Sequence, residues 1–178
     1  SRMGGVDKGL QMFRGQTLVQ HAIKRLQPQV SQLLINANRN PADYAMTGLK
    51  VIADTELADN GPLSGFLTGL QHCDTEWLMV VPCDSPFFPP DLAQRLSMAL
   101  GAQQSLIATA WGAEVSSTGE AVCRPQPVFC LLHISLQQSL QDFLRSSGRK
   151  IDTWTAQHSN ARMDFNLPHD HRHAFANT

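Results

Sequence analysis

The sequence is short of charge, because only 16% of its 178 residues are Asp, Glu, Lys or Arg, against the usual quarter. The 14 Lys and Arg residues nearly balance the 15 Asp and Glu residues, and the formal net charge is −1. A chain this balanced lacks the basic surface that duplex nucleic acid or an anionic membrane requires. Hydrophobic residues make up 42% of the chain, so its composition also excludes a disordered protein.

Long hydrophobic runs and paired cysteines are missing as well. No apolar run approaches 18 residues, so the sequence predicts no membrane-spanning helix. None of the four cysteines belongs to a Cys-x-x-Cys pair, and a chain of this length needs no disulfide framework. No signal peptide is visible. We therefore expect reduced thiols, a cytoplasmic location and no partnership with nucleic acid or membrane.

Short apolar runs alternate with helical patterns along the whole chain. Residues 32–37, 49–53, 77–81, 106–110, 127–132 and 161–165 read as strands, and residues 112–125 read as a polar loop or hairpin. Helical spacing occupies most of the segments between those strands, beginning with residues 17–27. This order predicts an α/β fold with a mostly parallel central sheet and helices on both faces. In such sheets ligands bind beyond the carboxyl ends of the strands.

The first candidate site is the Gly-rich opening, Ser-Arg-Met-Gly-Gly-Val-Asp-Lys-Gly. Gly4 and Gly5 would let the backbone wrap around an anion, while Arg2 and Lys8 would supply positive charge. The segment departs from the common phosphate loop because no Ser or Thr follows Lys8. Taken alone, it is equally compatible with an ordinary surface turn.

The second and third candidates follow apolar strands. Asp84, in Val-Val-Pro-Cys-Asp-Ser-Pro, is suited to Mg²⁺, which takes one or two carboxylates together with substrate phosphates. Asp54 precedes Gly61-Pro62-Leu63-Ser64-Gly65, a helix start whose flexible backbone could accept an anion or a flat base. A turn-forming Asp and simple helix initiation are the structural alternatives.

Taken together and in this order, the motifs closely resemble those of the molybdenum cofactor guanylyltransferases. The resemblance covers essentially the whole chain. Its strongest pieces are RMGGVDKGL (2–10), INANRN (35–40), GLKVIAD (48–54), GPLSG (61–65) and VPCDSPFFPPDLAQRL (81–96). It implies a Rossmann-like nucleotidyltransferase fold and transfer of GMP from Mg-GTP to the terminal phosphate of molybdopterin, with release of pyrophosphate.

The resemblance also assigns roles to individual residues. Lys8, Arg2 and Asp84 would be catalytic, and Asp84 would bind Mg²⁺. The GTP-binding residues would be Gly4, Gly5, Lys8, Asn36, Asp54, Gly61, Gly65 and Asp84. For the molybdopterin side the resemblance points only to Asn177, which matches an Asn near the end of the family's chains. Because molybdopterin is anionic, the donors Arg124, Gln126, Arg149 and Lys150 are further candidates on residue chemistry alone, with solvated surface charge as the alternative. Further expected partners are molybdenum-cofactor biosynthesis proteins and apoenzyme chaperones.

One departure concerns the start of the chain. The Leu-Ala-Gly-Gly stretch that precedes Ser-Arg-Met in the family is absent, so we expect residues 1–178 to be a single nucleotidyltransferase domain without its first strand and the start of its phosphate loop.

Two other functions stay open at this stage. A related nucleotidyltransferase that uses CTP or a sugar phosphate would carry similar motifs, and a non-catalytic carrier of GTP or molybdenum cofactor would bind without turnover. His169, His171 and His173 could form a second metal site if they lay on a strand, although solvated loop histidines are the favoured interpretation.

Overall fold

A computed structural model describes residues 7–54, 61–115 and 121–178 of the chain. The helices in these segments are α1 (Leu18–Leu26), α2 (Pro41–Ala45), α3 (Pro62–Gln71), α4 (Leu92–Gln103), α5 (Gln137–Arg145) and α6 (Ile151–Thr155). The strands are β1 (Met12–Phe13), β2 (Gln16–Thr17), β3 (Leu34–Asn36), β4 (Lys50–Ile52), β5 (Trp77–Val80), β6 (Ile107–Val115), β7 (Ala121–His133) and β8 (Asn160–Phe165). Short 3₁₀ turns cover Lys8–Leu10, Gln27–Gln29 and Ile134–Leu136.

Local sequence explains where several of these helices begin. Thr17 caps α1 because its hydroxyl accepts a hydrogen bond from the Gln20 backbone N–H, and the Gln20 side-chain oxygen in turn accepts from the Thr17 N–H. Pro62 occupies the first turn of α3, where its missing N–H costs no hydrogen bond. Both helices begin where the sequence predicts.

The sheet topology is mixed. Over the described part of the chain the larger sheet has the order β5-β7-β6-β8, in which β5, β6 and β8 share one direction and β7 runs against them. The parallel pair β3–β4 forms a second small sheet, and β1–β2 is an antiparallel hairpin that the sequence analysis missed. Of the predicted polar loop or hairpin at 112–125, residues 112–115 and 121–125 are paired parts of β6 and β7, and residues 116–120 lie outside the described segments.

Helices cover both faces of the larger sheet, as predicted. On one face α1 and α4 pack against the sheet through a cluster that includes Leu26, Leu92, Leu96 and Phe129. On the other face α3, α5 and α6 enclose a second cluster around the fully buried Trp154. The α/β fold with helices on both faces is therefore confirmed.

A cleft separates the two sheets. Among the described residues β3 pairs with β4 and β5 pairs with β7, and neither has a partner on its other edge. The cleft has a volume of about 420 Å³ and is lined from both sides, by Ile35 and Asn36 of one sheet and by Met79 and Val80 of the other. Asp84 lines it as well. The ends of β3 and β5 therefore meet around this opening.

None of the helices in the described segments is long and apolar enough to cross a membrane.

Candidate functional site

Lys8 stands at the start of the 3₁₀ turn Lys8–Leu10. Asp7 caps this turn, since its carboxylate accepts a hydrogen bond from the Gly9 N–H at 3.2 Å. The backbone N–H groups of Leu10 and Gln11 then bond to the carbonyls of Asp7 and Lys8. These bonds fix the turn, and the half-exposed Lys8 side chain extends from it.

Lys8 and Asp84 form an ion pair across 76 residues of sequence, with 3.2 Å between Lys8 Nζ and Asp84 Oδ2. Their side chains are 54% and 17% exposed, so solvent screens the pair and its contribution to stability is small. The fold thus brings together a cation and a carboxylate that the sequence analysis assigned separately. Both groups stay accessible to a ligand.

The loop that carries Asp84 is anchored by the C-terminal segment. The Thr178 N–H donates to the Asp84 backbone carbonyl at 2.8 Å. The hydroxyl of the fully buried Ser85 donates to Asn177 Oδ1, also at 2.8 Å. Asn177, a predicted molybdopterin-side residue, therefore lies one hydrogen bond from the residue that follows Asp84.

Cys83 immediately precedes Asp84 and is half-buried against the cluster that contains Val19, Ile35 and Tyr44. Burial, followed by the negative charges of Asp84 and Asp7, raises the pKa of the Cys83 thiol to about 11. The thiol is therefore protonated at neutral pH and serves as a packing group.

Asp54, at the end of β4, is the centre of a second polar cluster. One of its carboxylate oxygens accepts hydrogen bonds from Asn36 Nδ2 at 2.7 Å and from the Thr68 hydroxyl at 3.0 Å. The other oxygen accepts from Asn38 Nδ2 at 2.8 Å, and the Asp54 N–H donates to Asn38 Oδ1 at 2.7 Å. The predicted pair Asn36 and Asp54 is in contact, and its geometry is held by two residues that the prediction omitted.

The two predicted glycines of α3 have distinct structural requirements. Gly61, which precedes the helix, has φ +70° and ψ −154°, a conformation that essentially only glycine adopts. Gly65 lies against Asn36, so that a Cβ atom at this position would be 2.7 Å from Asn36 Oδ1. The close approach of α3 to the end of β3 therefore depends on the absence of a side chain at position 65.

The remaining predicted residues have partners of their own. Arg124 Nε lies 3.6 Å from the Glu114 carboxylate, and the buried Gln126 donates to the same carboxylate at 2.8 Å. Both are on the part of β7 that extends past the end of β5. Arg149 bonds to the carbonyls of Leu144 and Gly148.

Lys150 is the N-cap residue of α6, and no contact between it and the Lys8–Asp84 pair is observed. The predicted residues Arg2, Gly4 and Gly5 lie outside the described segments.

The three C-terminal histidines lie in turns that follow β8, so they do not share one face of a strand. Within residues 7–54, 61–115 and 121–178, no group of three or more His, Cys, Asp or Glu side chains is arranged to hold a metal ion. The single carboxylate of Asp84 would suffice for Mg²⁺ when a nucleotide supplies phosphate oxygens.

Sequence reasoning missed Asn38, Thr68 and Tyr44. Asn38 lies in the INANRN segment that carries the resemblance, which was the available signal for it. Thr68 and Tyr44 lie inside helices and follow no local pattern typical of a site. Tyr44 is the single tyrosine of the chain, and it is 4% exposed.

Comparisons with known proteins give the relatives of this chain. The model of a family described as the MobA-like NTP transferase domain matches residues 1–161. A protein of Acidovorax sp. (strain JS42), named molybdenum cofactor guanylyltransferase, is 53% identical over 178 residues, which cover 99% of this chain and 84% of the relative.

Two solved structures share the fold at low sequence identity. One is molybdopterin-guanine dinucleotide biosynthesis protein A from Archaeoglobus fulgidus, with a TM-score of 0.68 and 16% identity, covering 90% of this chain and 76% of that one. The other is a CMP:2-keto-3-deoxy-manno-octonic acid synthetase in complex with CTP, also with a TM-score of 0.68, at 11% identity, covering 88% and 82%.

Proposed function

Because the chain belongs to the molybdenum cofactor guanylyltransferases of the MobA-like NTP transferase family, we propose that it transfers GMP from Mg-GTP to the terminal phosphate of molybdopterin. The observation that carries the proposal is the Lys8–Asp84 pair, 3.2 Å apart at the carboxyl end of β5. Such a pair offers one positive group for phosphate oxygens and one carboxylate for a divalent cation. Mg²⁺ is the cation we propose for Asp84.

The proposed reaction is a displacement at the α-phosphorus of GTP. A phosphate oxygen of molybdopterin forms a bond to that phosphorus, and the bond to the β-phosphate oxygen breaks, so that pyrophosphate leaves with the electron pair. A phosphate monoester has a second pKa near 6 and is already ionised at neutral pH, so it needs no general base. The protein has to position two anions and neutralise their repulsion.

Each candidate residue would bind one part of the substrates or the metal ion. Lys8 would donate to the oxygens of the departing pyrophosphate, and Asp84 would hold Mg²⁺. When bound, the ion would neutralise charge on the triphosphate. Asn36, Asp54, Gly61 and Gly65 would line the guanosine side. Arg2, Gly4 and Gly5 would complete the phosphate loop, as the resemblance predicts.

For the second substrate we propose Asn177 first, because it lies next to the Asp84 loop. Arg124 and Gln126 follow, since the extended part of β7 carries them beyond the end of β5. Arg149 and Lys150 stay predictions. We also propose that residues 1–178 form one domain.

Pyrophosphate release, measured with GTP, Mg²⁺ and molybdopterin, tests the proposal. Lys8→Ala should lower the rate by about 10²–10³, as expected for the loss of one electrostatic donor. Asp84→Asn should lower it at least as much. Lys24→Ala is the matched control, because Lys24 is an exposed lysine whose ammonium bonds to Gln16, and its rate should equal that of the unaltered chain.

Nucleotide choice and turnover separate the alternatives. We expect Mg-GTP, but not Mg-CTP, to raise the thermal unfolding midpoint. Equal protection by both nucleotides would overturn the guanine assignment in favour of a related nucleotidyltransferase. Binding of Mg-GTP without pyrophosphate release would favour the carrier function.

A further inference from the structure

Tyr44 connects the small β3–β4 unit to the turn that carries Lys8. Its ring is packed with Val19 and Ile35 in a buried cluster, and its hydroxyl donates to Asp7 Oδ1 at 2.6 Å. The two residues are 37 positions apart in sequence. Burial, followed by the hydrogen bond to Asp7, raises the pKa of Tyr44 well above its usual range, so the hydroxyl stays a donor at neutral pH.

Asp7 links Tyr44 to the turn, because its carboxylate bonds to both. The oxygen that accepts from Tyr44 also accepts from the Gly9 N–H at 3.2 Å, and this second bond closes the turn around Lys8. The other carboxylate oxygen accepts from Asn40 Nδ2 at 3.4 Å. Asp7 is thus held from one side by residues of the β3–β4 unit while it caps the turn on the other.

Gly9 brings the same turn against the Asp84 loop. The residue is buried, and a Cβ atom there would collide with the Tyr44 hydroxyl and would lie 3.0 Å from Cys83 Sγ. Tyr44, Gly9 and Cys83 therefore meet at one point. Gly9 is the neighbour of Lys8 in sequence, and Cys83 is the neighbour of Asp84.

We propose that Tyr44 is a positioning residue that holds Lys8 opposite Asp84 through the carboxylate of Asp7. The proposal rests on the proposed function for its catalytic consequence, because it assumes that Lys8 acts on the triphosphate. Tyr44 touches neither substrate in this scheme. Its removal should therefore misplace Lys8 without removing any group from the reaction.

Tyr44→Phe isolates the hydroxyl and keeps the packed ring. We expect kcat to fall about 10- to 100-fold, since a displacement of about 1 Å in a positioned group can cost as much. Thr47→Val is the matched control, because the Thr47 hydroxyl bonds to the Tyr44 carbonyl and makes no contact with Asp7. The control should lose thermal stability to a similar degree and keep its kcat.

A double-mutant cycle with Lys8→Ala tests whether Tyr44 acts through Lys8. In the Lys8→Ala background, Tyr44→Phe should change kcat less than twofold. An equal loss of kcat in both backgrounds, or an unchanged kcat in Tyr44→Phe alone, would overturn the proposal.

Trypsin cleavage after Lys8 gives a measurement that does not depend on turnover. Mass spectrometry of the N-terminal fragment should show cleavage of the Lys8–Gly9 bond at least fivefold faster in Tyr44→Phe than in the unaltered chain and in Thr47→Val. Equal cleavage rates would overturn the proposal. If the unaltered chain shows no guanylyl transfer, the proposed function fails, while the cleavage rates still decide whether Tyr44 holds the turn.

Discussion

Replacing Gly65 by Ala should weaken GTP binding while leaving the fold intact. The added Cβ would stand 2.7 Å from Asn36 Oδ1, closer than such atoms approach in folded proteins, so the Asn36 amide must turn away. That amide donates to the Ile52 carbonyl at 3.2 Å and to Asp54 Oδ1 at 2.7 Å. Both bonds would be lost or distorted.

Two opposing effects set the change in unfolding free energy. Alanine is about 1 kcal/mol more favourable than glycine in a helix interior. The two Asn36 bonds would contribute about 2.5–4 kcal/mol if buried, but their exposure to solvent reduces this to about 1–2 kcal/mol. Gly65→Ala should therefore leave the unfolding free energy unchanged or lower it by about 1 kcal/mol.

Gly101→Ala in α4 is the matched control. A Cβ atom at position 101 would have no neighbour within 4 Å, so this variant should gain the full helix term of about 1 kcal/mol. Urea unfolding measures both stabilities, and titration calorimetry with Mg-GTP measures the affinities. We expect Gly65→Ala to lose at least tenfold in affinity, which is about 1.4 kcal/mol, and Gly101→Ala to lose none. An unchanged affinity in Gly65→Ala would refute the assignment of Asn36 to the nucleotide site.

Three further predictions concern the turn after α5, the Arg95–Asp170 ion pair and the half-buried thiol of Cys83. Ser147 has φ +67°, so Ser147→Gly should raise the unfolding free energy by about 0.5–1 kcal/mol and the melting midpoint by about 1–4 °C, whereas Ser146→Gly should not. Burial raises the pKa of Asp170, but the hydrogen bonds and charge of Arg95 outweigh this effect, and the net pKa is lowered. The ionised carboxylate therefore stabilises the fold at pH values above its unfolded pKa of about 3.9. Asp170→Asn should lower the unfolding free energy by about 3 kcal/mol at pH 7. Urea unfolding at several pH values should show this difference shrinking as the pH falls below about 4. A difference that does not change with pH would contradict the assignment. Because the pKa of Cys83 is about 11, iodoacetamide should label this thiol slowly at pH 8, and the labelling rate should rise about tenfold with each further pH unit. Rapid labelling at pH 8 would contradict this prediction, since it would show the thiol to be accessible and ionised.

The positions of many helices and strands follow from local sequence. Thr17 with Gln20 marks the start of α1, and Gly61-Pro62 marks the start of α3, because capping and proline act within one turn. The apolar run at residues 77–81 likewise predicts a strand, and β5 is observed there with half-buried side chains. Strand direction is different, since alternation of elements does not specify it. The antiparallel course of β7 arises from its hairpin with β6. Prolines at positions 125 and 127 conceal only the first part of this strand, because residues 127–132 are predicted as a strand.

The candidate site shows the same division between local and distant signals. Asp54 and Asp84 can be predicted because each follows an apolar strand, where polar residues are exposed at the edge of the sheet. Thr68 and Tyr44 cannot, because their hydroxyls reach carboxylates 14 and 37 residues away through the tertiary fold. The Lys8–Asp84 contact also spans too much sequence for any local pattern to reveal it.

The two polar clusters stand on different sheets, because Asp54 follows β4 whereas Asp84 follows β5. A nucleotide whose base contacted the Asp54 cluster and whose phosphates contacted Lys8 and Asp84 would link the two sheets. Nucleotide binding would then restrict the motion of the β3–β4 sheet. Amide hydrogen exchange in β3 and β4 should therefore slow when the protein is saturated with nucleotide, although the reaction itself would take place at the Lys8–Asp84 pair.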